Sequence, residues 1–136
     1  MRRLVDWFNL KFHAEVSEYL VHEKITRRFT PITEGGGGPD MGVVRAARAN
    51  LRWHVQYVGH LAAQRHWLGG DRLTLADLAA AAQLSCADFL GDVPWQESEA
   101  AKEWYARVKS RPSFRPLLND RVPGLSPSPA YADLDF

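Results

Sequence analysis

The chain has 136 residues, 46% hydrophobic and 24% charged, with 17 basic against 16 acidic side chains and a formal net charge of +1. That length fits one domain with a real core, and the composition excludes a disordered or fibrous protein. Near-neutral charge gives no general reason to expect a nucleic acid or an anionic membrane as partner.

The single cysteine, Cys86, excludes an internal disulfide and a cysteine-built metal site, and fits a reducing cytosol. Asp6, Asn9 and Lys11 interrupt any apolar leader, and no run approaches the ~20 apolar residues of a membrane span. A cytoplasmic location is expected.

Leu4, Val5, Phe8, Phe12, Val16 and Tyr19 recur at spacings of three and four, which predicts a first helix running to about Phe29. Trp7, Leu10, Ala14, Val21 and Ile25 widen its apolar stripe. Glu15 falls inside that stripe, where a carboxylate needs a partner or a raised pKa, and an arginine across an interface is the expected partner. Residues 33–40, with Gly35 to Gly38, read as a flexible loop, because a phosphate cradle would need a preceding strand and a following Gly-Lys-Ser/Thr.

Asp40 is the expected N-cap of a second helix reaching about His66, with Val44, Ala47, Leu51, Val55, Val58 and Ala62 facing inward. Gly69-Gly70 would supply its left-handed exit. Arg45, Arg48 and Arg52 share the opposite face, either as a solvated surface or as a docking site for an acidic partner. The five histidines form no His-x-x-x-His pair, so no metal site is expected.

A third helix spans Thr74 to Leu90. Thr74 and Asp77 form a capping box, with Leu73 and Leu78 as its hydrophobic staple. It is small or apolar almost all round, with one stripe made of Leu75, Leu78, Ala79, Ala82, Cys86 and Phe89, which predicts the buried hub of the domain and an inert core thiol. Ser98 or a neighbour opens a fourth helix with Ala101, Trp104, Tyr105 and Val108 inward. Arg111-Pro112 breaks it, and a short helix follows to about Leu118. The fold class is all-α, a helical bundle over 1–119 followed by a proline-rich tail over 120–136. Tyr131, Leu134 and Phe136 are candidate anchors for a partner, and deleting residues 131–136 is expected to leave the unfolding midpoint nearly unchanged.

The segment Trp67-Leu68-Gly69-Gly70-Asp71-Arg72-Leu73-Thr74-Leu75-Ala76-Asp77-Leu78 resembles the signature of the C-terminal domain of cytosolic glutathione S-transferases. Trp104 to Phe114, with its Arg111-Pro112 corner, resembles the family's last long helix. The resemblance covers roughly Met1 to Leu118. It implies a homodimeric protein whose glutathione site lies in an N-terminal thioredoxin-like domain that this chain lacks. The chain itself would hold no cofactor and no catalytic residue, and alone would be inactive. It would contribute the wall of an electrophile pocket and part of a dimer interface. Phe8, Phe12 and Glu15 match the pocket positions, and Thr74 and Asp77 match a folding element. Trp7 to Phe12, the glycine-rich loop and the Tyr131 to Phe136 ending also resemble a bacterial division-site branch of the family. That branch implies an alternative, a non-catalytic scaffold binding the division polymer FtsZ through its surface and tail.

Overall fold

The computed structural model describes residues 2–134. Four helices make the core: α1 (2–26), α2 (Met41–Arg65), α3 (Leu75–Phe89) and α4 (Glu99–Lys109). Short 3-10 turns occupy Ile32–Glu34, Trp95–Glu97 and Arg115–Asn119. Among the described residues there is no strand, only isolated bridge pairs at Trp67–Gly70 and Val122–Leu125.

The first helix is continuous but not uniform. Trp7–Ser17 and His22–Thr26 run in wide turns, with Glu18 N–H reaching His13 O and Arg27 N–H reaching His22 O, each five residues back. Wide turns hold more than 3.6 residues, so side chains four apart stay in line instead of drifting round the axis. Phe8, Phe12, Val16 and Leu20 therefore form the fully buried row. This corrects the expected stripe: Tyr19 is 48% exposed and Leu10 67% exposed.

The glycine loop is built, not slack. A Cβ on Gly36 would stand 1.8 Å from Thr30 O, so the chain can pass there only as glycine. Gly36 N–H donates to Pro31 O and Gly37 N–H to Arg27 O. Glu23, buried beneath, accepts from Asp40 N–H at 2.8 Å and from Arg27 at 2.7 Å. One carboxylate thus ties the end of α1 to the start of α2, and its backbone hydrogen bond from Asp40, followed by Arg27, holds its pKa below the ordinary value.

Asp40 caps α2 as expected, accepting from Gly42 and Val43 N–H. The exit differs. His66, not a glycine, takes the positive φ of 74°, and its N–H reaches Ala62 O. Arg107 from α4 donates to His66 O and lies 5.2 Å over the Trp67 ring, so a tertiary contact holds the turn that local sequence would have given to glycine.

The helices form a ring: α1 packs between α2 and α3, and α4 closes the circle by touching both. Each helix keeps an outer face, and α3 is therefore not enclosed. Ala76, Ala80, Ala81, Leu84 and Ala87 are its buried side, whereas Leu75 is 64% exposed and Cys86 lies at the surface. The expected stripe was shifted because alanine leaves the periodic pattern nearly featureless, and only the neighbours decide which alanines are covered.

Candidate functional site

Asp77 gathers donors from three parts of the chain. It is fully buried, and its Oδ1 accepts from Leu68 N–H and from Trp104 Nε1–H, both at 2.8 Å. Its Oδ2 accepts from Thr74 N–H at 2.9 Å and from the Thr74 hydroxyl at 3.3 Å. The capping box is closed as expected, and the same carboxylate also binds the preceding loop to α4. Four donors thus engage both oxygens of this buried carboxylate, which gives it a structural task.

Glu15 sits at a more open place. Lys11, one turn earlier, donates to its Oε2 at 2.9 Å. On its other side His54 of α2, fully buried, places Nε2 2.9 Å from Glu15 Oε1. No arginine pairs with it among the described residues of this chain; a lysine and a histidine do. The Lys11 and His54 hydrogen bonds hold the Glu15 pKa below its ordinary value, so it faces His54 as an anion, and His54 is the donor through Nε2–H.

The other ring nitrogen of His54, Nδ1, is buried with no hydrogen-bond partner among the described residues, between rings of Trp7, Phe12 and Trp53 at centroid distances of 4.8–6.0 Å. Desolvation accordingly lowers its pKa and keeps it neutral. Sequence reasoning missed this pair because the partners stand 39 residues apart on different helices.

A cavity of about 410 Å³ opens beside Glu15, lined by Trp7, Lys11, Glu15, Asn50 and Trp53. Phe8 and Phe12, expected at the wall of an electrophile pocket, are both 0% exposed and belong to the core. Trp7 and Trp53 supply the aromatic wall in their place, with ring centroids 6.0 Å apart, and Trp53 stacks on Tyr57 at 5.7 Å. An anion between two indoles and a lysine can receive an ammonium or guanidinium group, or an amide donor.

The arginine face is largely committed within the chain. Arg48 and Lys24 converge on Asp92, whose side chain is 0% exposed, at 2.6–2.7 Å. Arg52 pairs with Glu97 at 3.2 Å. Arg45 is exposed and makes no ion pair among the described residues. Of the three expected docking arginines, one is left open to a partner.

The tail is docked, not free. Ser128 N–H donates to Phe89 O at 2.9 Å, and Tyr131 is 4% exposed with its ring edge-on to Phe89 at 5.2 Å. Leu134 is half-buried against the bundle, and Phe136 lies outside the described residues. Tyr131 as a standing surface anchor is thus corrected: it is a core residue.

Residues 43–112 match the family described as "Glutathione S-transferase, C-terminal domain", and the chain belongs to that family. It is 50% identical over 135 residues to FtsZ-localized protein A of Caulobacter vibrioides, covering 99% of this chain and 58% of that protein. Among solved structures it is similar to a glutathione S-transferase from Sinorhizobium meliloti (TM-score 0.94, 50% identity, 99% of this chain and 58% of the other). It is also similar to FzlA from C. crescentus (TM-score 0.91, 50% identity, the same shares). The chain spans 58% of the length of these relatives.

Proposed function

We propose that this chain is the helical part of a glutathione S-transferase-like protein that works as a non-catalytic scaffold on the bacterial division polymer FtsZ. The observation that carries the reading is the 50% identity to FtsZ-localized protein A, which extends over 99% of the chain and so through the tail. The Glu15–His54 pair and Cys86 support it. Glu15 is pushed down by Lys11 and His54, His54 is pushed down by desolvation, and the Cys86 thiol is pushed up by the apolar surroundings of its sulfur. Each shift moves the group away from acid–base or nucleophilic work near neutral pH.

A second reading rests on the cavity beside Glu15. An exposed anion walled by Trp7 and Trp53 is suited to an amine of glutathione held in a longer, dimeric protein, with the exposed Leu10 and Trp53 at the contact between copies. Co-sedimentation separates the readings. Purified 136-residue chain is expected to pellet with GTP-assembled FtsZ, and absence from the pellet would overturn the scaffold. Both readings expect no turnover of glutathione with a chromogenic electrophile by the chain alone, so turnover above the uncatalysed rate would overturn that expectation.

A further inference from the structure

Arg48 and Arg52 of α2 are engaged by Asp92 and Glu97, but the fold assembles a second basic surface where α4 ends. Beyond Lys109 the chain keeps winding: Arg111 N–H donates to Val108 O at 3.1 Å, and Arg115 N–H to Arg111 O at 3.0 Å. Arg107, Arg111 and Arg115 therefore follow one another at close to helical spacing. Two clefts meet there at Leu134 of the tail. The larger, about 510 Å³, lies among Trp67, Arg107, Arg111 and Leu134, and the smaller, about 260 Å³, lies between Arg115 and Leu134.

The charge around these clefts differs from that of the clefts beside the other cations. Where Lys11 lines a cleft Glu15 lines it too, Lys24 and Arg28 share theirs with Glu23, and Arg121 shares its own with Asp120. Neither cleft at Leu134 has a carboxylate in its lining. Arg107 is held in place there, donating to His66 O with its guanidinium 5.2 Å over the Trp67 ring. Arg111 and Arg115 are exposed and make no ion pair among the described residues. In a chain of net charge +1, three guanidinium groups around two acid-free clefts are a local excess of positive charge.

We propose that this surface docks an acidic segment of a partner protein, one that carries an apolar side chain between carboxylates. Arg111 and Arg115 receive the carboxylates, because a planar guanidinium pairs with a carboxylate through two parallel hydrogen bonds. Trp67 and the half-buried Leu134 receive the apolar side chain. The apolar contact between two cations is what selects a peptide. An aliphatic side chain flanked by acids matches it, and a sugar-phosphate backbone, which offers only charge at that spacing, does not. The proposal is independent of the scaffold reading, which rests on sequence identity to a relative and not on these arginines.

Fluorescence anisotropy of a fluorescein-labelled peptide alternating aspartate with leucine, titrated with the chain, tests the site. Saturable binding is expected at low ionic strength, weakened about fivefold or more by Arg111→Ala, by Arg115→Ala and by about 0.5 M salt. Both side chains are exposed, so the variants should keep the wild-type urea midpoint. Arg45→Ala removes an exposed cation outside the clefts and is expected to leave binding unchanged. No saturable binding, or an equal loss in Arg45→Ala, overturns the proposal. Equal affinity for a single-stranded oligonucleotide of the same charge also overturns it, by making the surface a general polyanion site. Self-association in sedimentation velocity that Arg111→Ala abolishes would do so too, by making a second copy the occupant. If the peptide binds while the chain stays out of the FtsZ pellet, the scaffold reading fails and the acidic-segment site stands.

Discussion

At the scale of single residues, a buried carboxylate and a more open one do different jobs. Asp77 satisfies Leu68 N–H, Thr74 N–H, the Thr74 hydroxyl and Trp104 Nε1–H together. Asp77→Ala strands buried donors on two elements and is expected to lower stability by about 3–5 kcal/mol, read as a shift in urea midpoint at unchanged slope. Trp104→Phe removes a single donor and should cost about 1–2 kcal/mol. Equal losses in the two variants would contradict the view of Asp77 as a shared acceptor.

The Glu15–His54 pair gives a pH signature. The ordinary pKa of His54 is 6.5, and burial lowers it in the fold. The unfolded chain therefore binds more protons than the fold as pH drops through 6.5, and stability falls across that window until the folded histidine also protonates. His54→Phe keeps the aromatic packing and should flatten the limb that begins as pH falls below 6.5. An unchanged profile in that variant would remove His54 as its source.

At the scale of elements, close approach and docking set the limits. A Cβ on Gly59 of α2 would stand 2.0 Å from the Ser98 hydroxyl that caps α4 by accepting from Ala101 N–H. Gly59→Ala must displace that cap, which outweighs the helix propensity gained, and a net loss of about 1–2 kcal/mol is expected by thermal or urea unfolding. The tail offers the converse test. Tyr131 is part of the core, so Tyr131→Ala should destabilise the whole domain by about 2–4 kcal/mol. This replaces the expectation that residues 131–136 can be removed without effect on unfolding. An unaltered midpoint would mean the docked tail contributes nothing to the fold.

At the scale of the molecule, a ring of four helices covers its inner faces and leaves outer ones. Leu10, Trp53 and Leu75 remain exposed on three different helices. They are the surfaces from which a 136-residue chain, spanning 58% of its relatives, can make further contacts. If a second copy covers the Trp7–Trp53 cavity, sedimentation equilibrium of the chain should give a dimer that Trp53→Glu dissociates. A monomer in wild type would remove that part of the second reading.

The sequence alone determined what depends on neighbours along the chain. Asp40 and Ser98 as caps, the Thr74–Asp77 box, the Val44 to Ala62 stripe and the inward face of α4 were all legible, because caps and periodicity are written within four residues. The family resemblance was legible for the same reason, since its motifs are local. Tertiary structure decided the rest. Tyr19 and Leu20 differ by one position, and the wide turns of α1 chose Leu20. The alanine-rich α3 has no side pattern strong enough to say which face is covered until α1 and α4 are in place. His54 found Glu15, Asp92 collected Lys24 and Arg48, and Lys109 closed on Ala130 across 21 to 68 residues of sequence. Electrostatic partners act through space and leave no period in the chain, so only the packed bundle could bring them together.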